Sequence, residues 1–253
     1  MPRRPHIREW RDDEGPRRTT DGTEGNAMHV GNARYLKAED LPEAIPVFPL
    51  TGALLLPGGQ LPLNIFEPRY LSMVDDALAA HRLIGMVQPV FGAERVGDAD
   101  TATPALCQVG CIGRITSFAE TGDGRYIVSL TGVCRYRLLD ERHGDKAYRS
   151  FRIAPFIADL SAADEEKSVD REALLSAFKA YLDANKLEAD WESVERASNA
   201  TLVNSMAMMS PYGPAEKQAL LEAPDLKTRA ETLIAITEIV LARGYGDVDT
   251  RLQ

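Results

Sequence analysis

Residues 45–70 read IPVFPLTGALLLPGGQLPLNIFEPRY, and this stretch decides the fold. It is rich in apolar side chains that require burial, yet it is interrupted by prolines at Pro46, Pro49, Pro57 and Pro62. Proline fixes φ and lacks the N–H that a β-ladder needs, so strands built here must be short, kinked or at a sheet edge. A small, strongly bent β-barrel or folded sheet satisfies both conditions, with Gly58-Gly59 allowing a sharp reversal between two strands.

A helix is predicted directly after this stretch. Pro68 follows Glu67 and suits the first turn of a helix, where the missing N–H has no intrahelical partner. Beyond it, apolar residues recur at helical spacing, at Tyr70, Leu71, Val74, Ala77 and Leu78. This spacing predicts a short amphipathic helix over residues 68–81.

The rest of the first half is rich in strand patterns. One strand is predicted at residues 83–90 and another at about 148–157, while residues 92–105 read as a polar loop. The strongest local signal is Gly122-Asp123-Gly124, which joins two strand-like stretches. Asp and Gly accept positive φ, so this tripeptide predicts the turn of a hairpin.

After residue 168 the apolar period changes from two to about 3.6, which indicates helices. The apolar positions predict a first helix around residues 174–182 and a second around 191–209. Asp190 precedes the second helix and is expected to be its N-cap, because its carboxylate can accept hydrogen bonds from the first free N–H groups.

The predicted C-terminal helices are bounded by proline, aspartate and glycine. Pro211 and Pro214 end the second helix, and a short helix is expected at residues 215–222. Asp225 is expected to cap a last helix. Gly244 is expected to end that helix, because glycine readily adopts the left-handed conformation of a C-terminal cap.

Length and composition indicate a globular chain without membrane spans. The chain has 253 residues, of which 44% are hydrophobic and 26% charged. No apolar run reaches the roughly 18 residues that cross a bilayer, and the N-terminus lacks the apolar core of a secretory signal. We therefore expect a cytoplasmic protein. Residues 1–30 have almost no apolar content, so we expect them to form a disordered tail.

The cysteines do not predict a disulfide framework or a metal site. Cys107, Cys111 and Cys134 are odd in number and lie in or beside predicted strands. A C-x3-C spacing with no nearby histidine supplies too few ligands for zinc. We expect these residues to act as small buried apolar side chains.

The sequence contains no pattern that predicts catalysis. No segment matches the phosphate-binding motif G-x-x-x-x-G-K-[ST]. None of the histidines has a nucleophile-like serine or cysteine context; these are His6, His29, His81 and His143. Neighbouring acids such as Asp75-Asp76 are expected on solvated faces rather than as acid/base pairs. We therefore expect no enzyme activity and no cofactor.

Further segments accompany residues 45–70 in order: LIGMVQPV at 83–90, VGCIGRI at 109–115, VSLTGVCRYRL at 128–138 and SPYGPAEKQALLEAPDLKTRAETL at 210–233. Together they resemble the N-terminal domain of Lon proteases in its stand-alone form. The likeness covers roughly residues 28–243. The stretch at 45–70 and the helical motif at 210–233 occur in the order and at the distance that the family shows.

The resemblance implies a PUA-like β fold and a domain that helps to select unfolded or damaged protein substrates. It also implies that the ATPase domain and the Ser-Lys protease domain of full-length Lon are absent, so that the word peptidase would apply by family name only. Members usually start close to the position of Met28, and we hypothesise that the natural start lies there.

The predicted fold class is therefore α+β. We expect a PUA-like bent β-barrel or folded sheet over residues 31–160, followed by a helical bundle over 161–245. Residues 246–253 are expected to be a flexible C-terminus. The predicted function is to bind unfolded or apolar polypeptide segments, or to modulate proteolysis by an ATP-dependent protease.

The proline-broken edge supplies the peptide-binding hypothesis, because a kinked edge offers unpaired backbone groups to an extended peptide. The peptide-binding candidates are Leu55, Leu56, Phe66, Arg69, Tyr70 and Met208. A core position is the favoured alternative for Leu56 and Phe66. For Arg69 and Tyr70 both readings stay open, because their polar ends must reach water or a partner.

The methionine cluster MAMM at residues 206–209 carries the same two readings. Methionines suit promiscuous apolar surfaces, yet Met206 and Met209 share a helical stripe with Leu202. We expect this stripe to lie in the core and Met208 to be the exposed member.

RNA binding is the alternative from another class, because PUA-like folds often serve it. A basic stretch is interleaved with aromatic residues: Arg135, Arg137, Arg142, Lys146, Arg149 and Arg152 with Tyr136, Tyr148 and Phe151. Base stacking and phosphate contacts are the chemistry that such a stretch would supply. The net charge of −9 argues against it. Alternating arginines on a strand also commonly mark its solvent face.

Overall fold

The computed structural model describes residues 27–90, 104–161 and 168–249, with side chains through residue 243. Within these ranges the strands are β1 (Met28–Val30), β2 (Ala33–Tyr35), β3 (Ala44–Pro49), β4 (Gln60–Ile65), β5 (Leu83–Val87), β6 (Val109–Glu120), β7 (Tyr126–Arg142) and β8 (Ser150–Pro155). The helices are α1 (Pro68–Ala79), α2 (Arg171–Asn185), α3 (Trp191–Arg196), α4 (Asn199–Met209), α5 (Pro214–Glu222) and α6 (Leu226–Asp249). The predicted α+β class, a bent sheet followed by helices, is confirmed.

The sheet closes on itself through the long strand β7. The strand order is β4-β7-β6-β5-β3-β8, and β8 also pairs with β7. Residues 126–131 of β7 pair with β4. Residues 136–142 pair with β8 along the same edge of β7. Because β7, β6, β5, β3 and β8 each pair with the next, they form a small barrel, and β4 extends it as an outer strand.

The bend that permits this closure lies at Gly132. The β6–β7 register shifts between Ile112 and Gly113, next to the Gly113–Gly132 pair. The turn after Pro57 crosses β7 at this point, since Gly58 N donates to Gly132 O and Gly132 N donates to Gly59 O, both at 2.9 Å. Gly58 has φ +76°, so the predicted reversal at Gly58-Gly59 is confirmed.

The proline-rich strand β3 has pairing partners along its whole length. Ala44–Pro46 pair with β8, and Val47–Pro49 pair with β5, so each half of β3 uses one neighbour. This divided pairing tolerates two prolines because neither half needs a ladder on both sides. In the described six-stranded sheet the outer strand is β4, which contains Pro62 and pairs with β7. The predicted proline-broken edge is therefore β4 rather than β3.

The first strand begins earlier in the chain than predicted. Met28–Val30 form β1 and pair with Ala33–Tyr35 of β2, so the prediction of a disordered tail through residue 30 is wrong for its last residues. Residues 1–26 lie outside the described ranges, as do residues 91–103, which hold most of the predicted polar loop. The hairpin at Gly122-Asp123-Gly124 is confirmed, with φ +80° and +84° at the two glycines.

The helix starts agree with the local capping signals. Helix α1 begins at Pro68 as predicted, and Asp190 caps α3 by accepting from Ser193 N at 3.2 Å. The single helix predicted around 191–209 is wrong, because Ser198 accepts from Thr201 N at 3.1 Å and starts a new helix, α4. A serine N-cap is a local signal that separates α3 from α4.

The last helix begins as predicted but ends later. Asp225 Oδ1 accepts from Thr228 N at 2.7 Å, which confirms the predicted cap of α6. The helix continues to Asp249, so the prediction that Gly244 ends it is wrong. An isolated glycine weakens a helix by only about 1 kcal/mol, which flanking residues can offset.

Asp225→Ala is expected to lower the free energy of unfolding by about 1 kcal/mol, because Thr228 N loses its acceptor. This hydrogen bond lowers the pKa of Asp225 below its ordinary value of 3.8. The stabilisation is therefore present above that value and is lost as the pH falls through the lowered pKa. Urea unfolding at pH 7 and at about pH 2 tests this. An equal difference between wild type and variant at both pH values would contradict it.

Buried apolar side chains join the sheet to the helices. One cluster contains residues of β4, β6 and β7 together with residues of α1, α2, α4, α5 and α6. A second cluster lies among residues 30–160 and includes the fully buried Tyr136, whose hydroxyl donates to Met86 O at 3.2 Å. The first cluster crosses the expected boundary near residue 160.

A buried arginine fixes helix α5 against the sheet. Arg135 of β7 forms a two-pronged ion pair with Asp159, with distances of 2.8 and 2.9 Å. Its guanidinium also donates to the carbonyl oxygens of Leu221, Ala223 and Pro224 at the end of α5. The terminal carbonyls of a helix have no intrahelical donors, so Arg135 supplies them from another element.

Candidate polypeptide-binding surface

The N-terminus of α1 holds two of the predicted candidates in different environments. Arg69 is exposed and forms an ion pair with Glu67 at 2.7 Å. It also lies over the ring of Tyr70, 4.6 Å from its centroid. Tyr70 itself is buried against Phe48, with ring centroids 4.4 Å apart. Burial raises the pKa of Tyr70. Arg69 is therefore accessible to a partner, whereas Tyr70 mainly packs against Phe48 at the start of α1.

Leu55 and Leu56 are core residues, as favoured for Leu56, and their burial does not fit their candidacy for contact with a peptide. Both side chains are almost completely buried. Leu55 lies against Gly113, where an added Cβ would come within 2.9 Å of it. The carbonyl of Leu56 lies directly on Gly132. The sharp turn after Pro57 directs this segment across β7 and thereby encloses both leucines.

Phe66 behaves in the opposite way. A core position was favoured for this residue, but 61% of it is exposed, so that expectation is wrong. Phe66 lies between the last residue of β4, Ile65, and the N-cap residue of α1, Glu67. Ile65 is buried, and the chain turns at Phe66 into the helix, which leaves the ring on the surface.

Two further exposed apolar residues lie at the same end of the sheet. Ile127, 50% exposed, pairs with Asn64 of β4 and with Ala119 of β6. Phe118 of β6 is also exposed and contacts the ring of Tyr126, with centroids 4.9 Å apart. Directly paired residues share a face of the sheet, so Phe118, which pairs with Val128, lies on the face opposite to Ile127. We call Phe66 and Ile127 the hairpin-end surface, because β4 ends and the β6–β7 hairpin turns there.

The hairpin-end surface rests on a fixed support. The carboxylate of Asp75 on α1 interacts with the Tyr126 hydroxyl and raises the pKa of Tyr126. Tyr126 also pairs with Ile65, so the hairpin, the end of β4 and α1 are held together. Phe118 and Ile127 are not among the residues predicted from the sequence. The sequence does place apolar residues on both faces of the strands beside the polar turn. Because only one face of such strands can pack on the core, an apolar residue on the other face is expected to be exposed.

The methionines differ from their expected positions. Met206 is buried, as expected, but Met209 is 84% exposed and does not share the core stripe. Met208 is half-buried and lies directly on Gly59. Asn204 of the same helix donates to Pro57 O at 3.0 Å. Met208 therefore helps to fix the Pro57–Gly59 turn, and Met209 is the exposed member at the end of α4.

The basic stretch proposed for RNA is largely neutralised within the fold. Its cations form ion pairs: Arg135 with Asp159, Arg149 with Glu141, Arg152 with Glu43 and Asp140, and Lys146 with Asp76. Tyr136 and Phe151 are buried, and Tyr148 donates to Asp76 at 2.7 Å. Stacking on bases needs exposed rings. The alternative of a stacking and phosphate-binding stretch is therefore not supported by these residues.

The cysteine thiols are poorly suited to nucleophilic chemistry. Cys111 and Cys134 are buried in β6 and β7, as expected. Burial raises the pKa of both, that of Cys134 to about 12. Thiols with such pKa values stay protonated at neutral pH. In the described ranges no three His, Cys, Asp or Glu side chains are arranged to hold a metal ion.

Over the same parts of the chain, the structure contains no helix with the length and apolarity that a membrane crossing requires.

Comparison with known proteins identifies the family. The model of the ATP-dependent protease La (LON) substrate-binding domain matches residues 44–238. Lon protease 2 of Myxococcus xanthus is 25% identical over 228 residues, which cover 85% of this chain and 26% of that protein. The chain therefore spans about a quarter of the length of the curated relatives it matches.

Solved structures show the same fold. The Lon N-terminal domain protein from Xanthomonas campestris has a TM-score of 0.56 at 24% identity, covering 76% of this chain and 97% of that one. The N-terminal domain of the Mycobacterium avium complex Lon protease has a TM-score of 0.59 at 20% identity, covering 77% and 98%. The family match extends from β3 into α6. The chain therefore belongs to the family of the ATP-dependent protease La (LON) substrate-binding domain.

Proposed function

We propose that this protein is a non-catalytic, cytoplasmic binder of polypeptides, which holds apolar segments of unfolded chains on its hairpin-end surface. The observation that carries the proposal is the presence of two exposed apolar side chains, Phe66 and Ile127, where β4 ends beside the β6–β7 hairpin. Membership of a substrate-binding family supports the same function. Arg69, exposed one turn away on α1, is proposed as a polar contact beside them.

The physical basis of this binding is burial of apolar area. Covering one such side chain fully contributes about 1.5–3 kcal/mol. A single contact is too weak to hold a client, but several on neighbouring elements can act on one extended segment. The outer strand β4 adds backbone groups on its unpaired side, although Pro62 limits the length of any added strand. Folded proteins bury their apolar segments, so the surface would favour unfolded chains.

Ile127→Ser is expected to weaken binding of an unfolded polypeptide about tenfold, which corresponds to about 1.4 kcal/mol. The probe is reduced, carboxymethylated α-lactalbumin with a fluorescent label, and anisotropy gives the dissociation constant. Phe66→Ser is expected to act in the same direction. The matched control is Leu139→Ser, because Leu139 lies on the same strand as Ile127 with a similar exposed fraction, 44% against 50%.

Salt dependence separates this proposal from nucleic-acid binding. Apolar binding should change little between low and high salt, whereas binding to phosphates falls steeply as salt rises. Equal weakening by Ile127→Ser and Leu139→Ser would contradict a specific surface. Binding of labelled RNA that is tighter than binding of the polypeptide, and steeply salt-dependent, would contradict the proposal as a whole.

The partner in the cell is proposed to be an ATP-dependent protease, to which this protein delivers clients or from which it withholds them. The support is that the relatives that it matches are Lon proteases about four times its matched length. Affinity capture from the native cell, with wild type and Ile127→Ser in parallel, tests this. Recovery of neither a protease nor misfolded clients would contradict the role in proteolysis. Cleavage of casein by pure protein would contradict the non-catalytic role.

A further inference from the structure

A basic pocket lies at the C-terminal end of α1, among residues that the polypeptide-binding proposal does not use. It has a volume of about 330 Å³. Three arginines line it: Arg34 from β2, Arg82 from the turn after α1, and Arg114 from β6. The single carboxylate in the lining is Asp40. Three cations and one anion give the pocket a net charge of about +2, while the whole chain has a net charge of −9.

The carboxylate of Asp40 is directed at the backbone rather than at the arginines. Its Oδ2 accepts from Leu36 N at 2.7 Å and from Lys37 N at 3.1 Å. These two bonds are the main cause of the lowered pKa of Asp40, so the group stays ionised at neutral pH. It moderates the positive charge of the pocket but does not form an ion pair with Arg34 within the described residues.

The arginines of the pocket differ from most others in the described part of the chain. Six of the eleven described arginines outside the pocket are in ion pairs with carboxylates: Arg69, Arg125, Arg135, Arg149, Arg152 and Arg196. In contrast, neither Arg34 nor Arg82 forms an ion pair with a described residue. Arg114 donates to two uncharged oxygens, Tyr35 Oη at 3.2 Å and His81 O at 3.0 Å. These bonds fix its guanidinium at the pocket.

Arg82 also occupies a backbone conformation that disfavours a side chain. Its φ is +60°, in the left-handed region, where glycine is unstrained and other residues cost free energy. The conformation is fixed from both sides, because Arg82 N donates to Ala77 O at 2.7 Å and Arg82 O accepts from Ile115 N at 2.8 Å. A left-handed residue just after a helix is a common way for a helix to end, and here it fixes Arg82 beside the pocket.

We propose that this pocket binds the phosphate group of a small phosphate monoester. A phosphate monoester carries about −1.5 to −2 charges at neutral pH, which matches the net charge of the pocket. Guanidinium groups hold phosphate oxygens by paired hydrogen bonds, and Arg34, Arg82 and Arg114 approach from three different elements. A carboxylate, with one charge, would leave the arginines undercompensated.

A groove beside the basic pocket can hold the part of the ligand that is not phosphate. A second groove of about 320 Å³ shares Ala80, His81 and Leu83 with the basic pocket. Its other walls include Ile45 and Pro46 and are mainly apolar. A ligand with a phosphate group and a compact apolar body would fill both spaces.

The test uses the full chain and three probes at constant ionic strength: inorganic phosphate, phenyl phosphate and benzoate. Two-dimensional ¹H–¹⁵N NMR follows the amides of Arg34, Arg82 and Leu83. Phenyl phosphate is expected to give saturable shifts at these amides and to bind at least tenfold more tightly than inorganic phosphate. Shifts that stay linear to the highest concentration would overturn the site. Benzoate binding as tightly as phenyl phosphate would overturn the assignment to phosphate, and no advantage of phenyl phosphate over phosphate would overturn the apolar part.

Arg82→Gly separates binding from folding. Glycine removes the cation and also relieves the left-handed strain, so the thermal midpoint should equal or exceed that of wild type while phenyl phosphate binding falls at least tenfold. Arg34→Ala should weaken binding without involving the strained turn. Arg137→Ala is the control, because Arg137 is exposed and does not line the pocket. Unchanged binding in both Arg82→Gly and Arg34→Ala would overturn the proposal, and neither variant should affect polypeptide binding at the hairpin-end surface.

Discussion

Arg135→Met is expected to lower the free energy of unfolding by about 3–5 kcal/mol. The substitution leaves the buried carboxylate of Asp159 without its counter-ion, and an unpaired buried charge is strongly destabilising. It also removes the donor from the carbonyl oxygens at the end of α5, among them Leu221 O. Chemical unfolding followed by circular dichroism gives the free energy, and a loss below about 1 kcal/mol would contradict the prediction.

Arg137→Met provides the matched control, because Arg137 lies two residues further along the same strand but is exposed. Its effect should stay within about 0.5 kcal/mol. The double variant Arg135→Met with Asp159→Leu tests the cause. If the unpaired charge of Asp159 dominates, the double variant should regain part of the loss. The remaining deficit would then measure the uncapped end of α5.

Local signals in the sequence predicted several element boundaries. Pro68, Asp190 and Asp225 start helices where they were expected, and Gly122-Asp123-Gly124 forms the predicted turn. These signals act through hydrogen bonds and backbone angles within a few residues, so no tertiary context is needed to recognise them. The break before α4 also had such a signal, in Ser198, and could have been predicted.

Burial was harder to predict because it depends on which elements meet. Leu56 and Phe66 are both apolar residues of the same segment, yet one is fully buried and the other largely exposed. The difference arises because the Pro57–Gly59 turn crosses β7, while Phe66 lies where the chain leaves β4 for α1. Arg135 shows the same limitation. It reads as one of several strand arginines, but it meets α5, a helix from residues 214–222.

The candidate surface was predicted in part. Phe66 and Arg69 are accessible, and both were candidates, whereas Ile127 comes beside the end of β4 only through the pairing of β4 with β7. No sequence pattern states which strand pairs with which, so that proximity could not be predicted. The basic pocket is similar, because its three arginines come from β2, β6 and the turn after α1.

Gly132→Ala is expected to lower the free energy of unfolding by about 3 kcal/mol or more, the upper range for overpacking. A Cβ at this position would overlap the carbonyl oxygen of Leu56. A backbone oxygen cannot rotate away as a side chain can, so the Pro57–Gly59 turn would have to separate from β7. That movement would break the hydrogen bonds that Gly132 makes with Gly58 and Gly59, each 2.9 Å long. Loss of each costs roughly 1 kcal/mol more.

Gly144→Ala is the control for this change, because an added Cβ at Gly144 meets no atom within 4 Å. Its stability should stay within about 0.5 kcal/mol of wild type. Comparison of the two variants separates the general effect of replacing glycine from the overlap with Leu56. Equal stability of Gly132→Ala and Gly144→Ala would show that the crossing over β7 can open without cost. The barrel would then not depend on that crossing for its bend, and Leu55 and Leu56 would be free to leave the core.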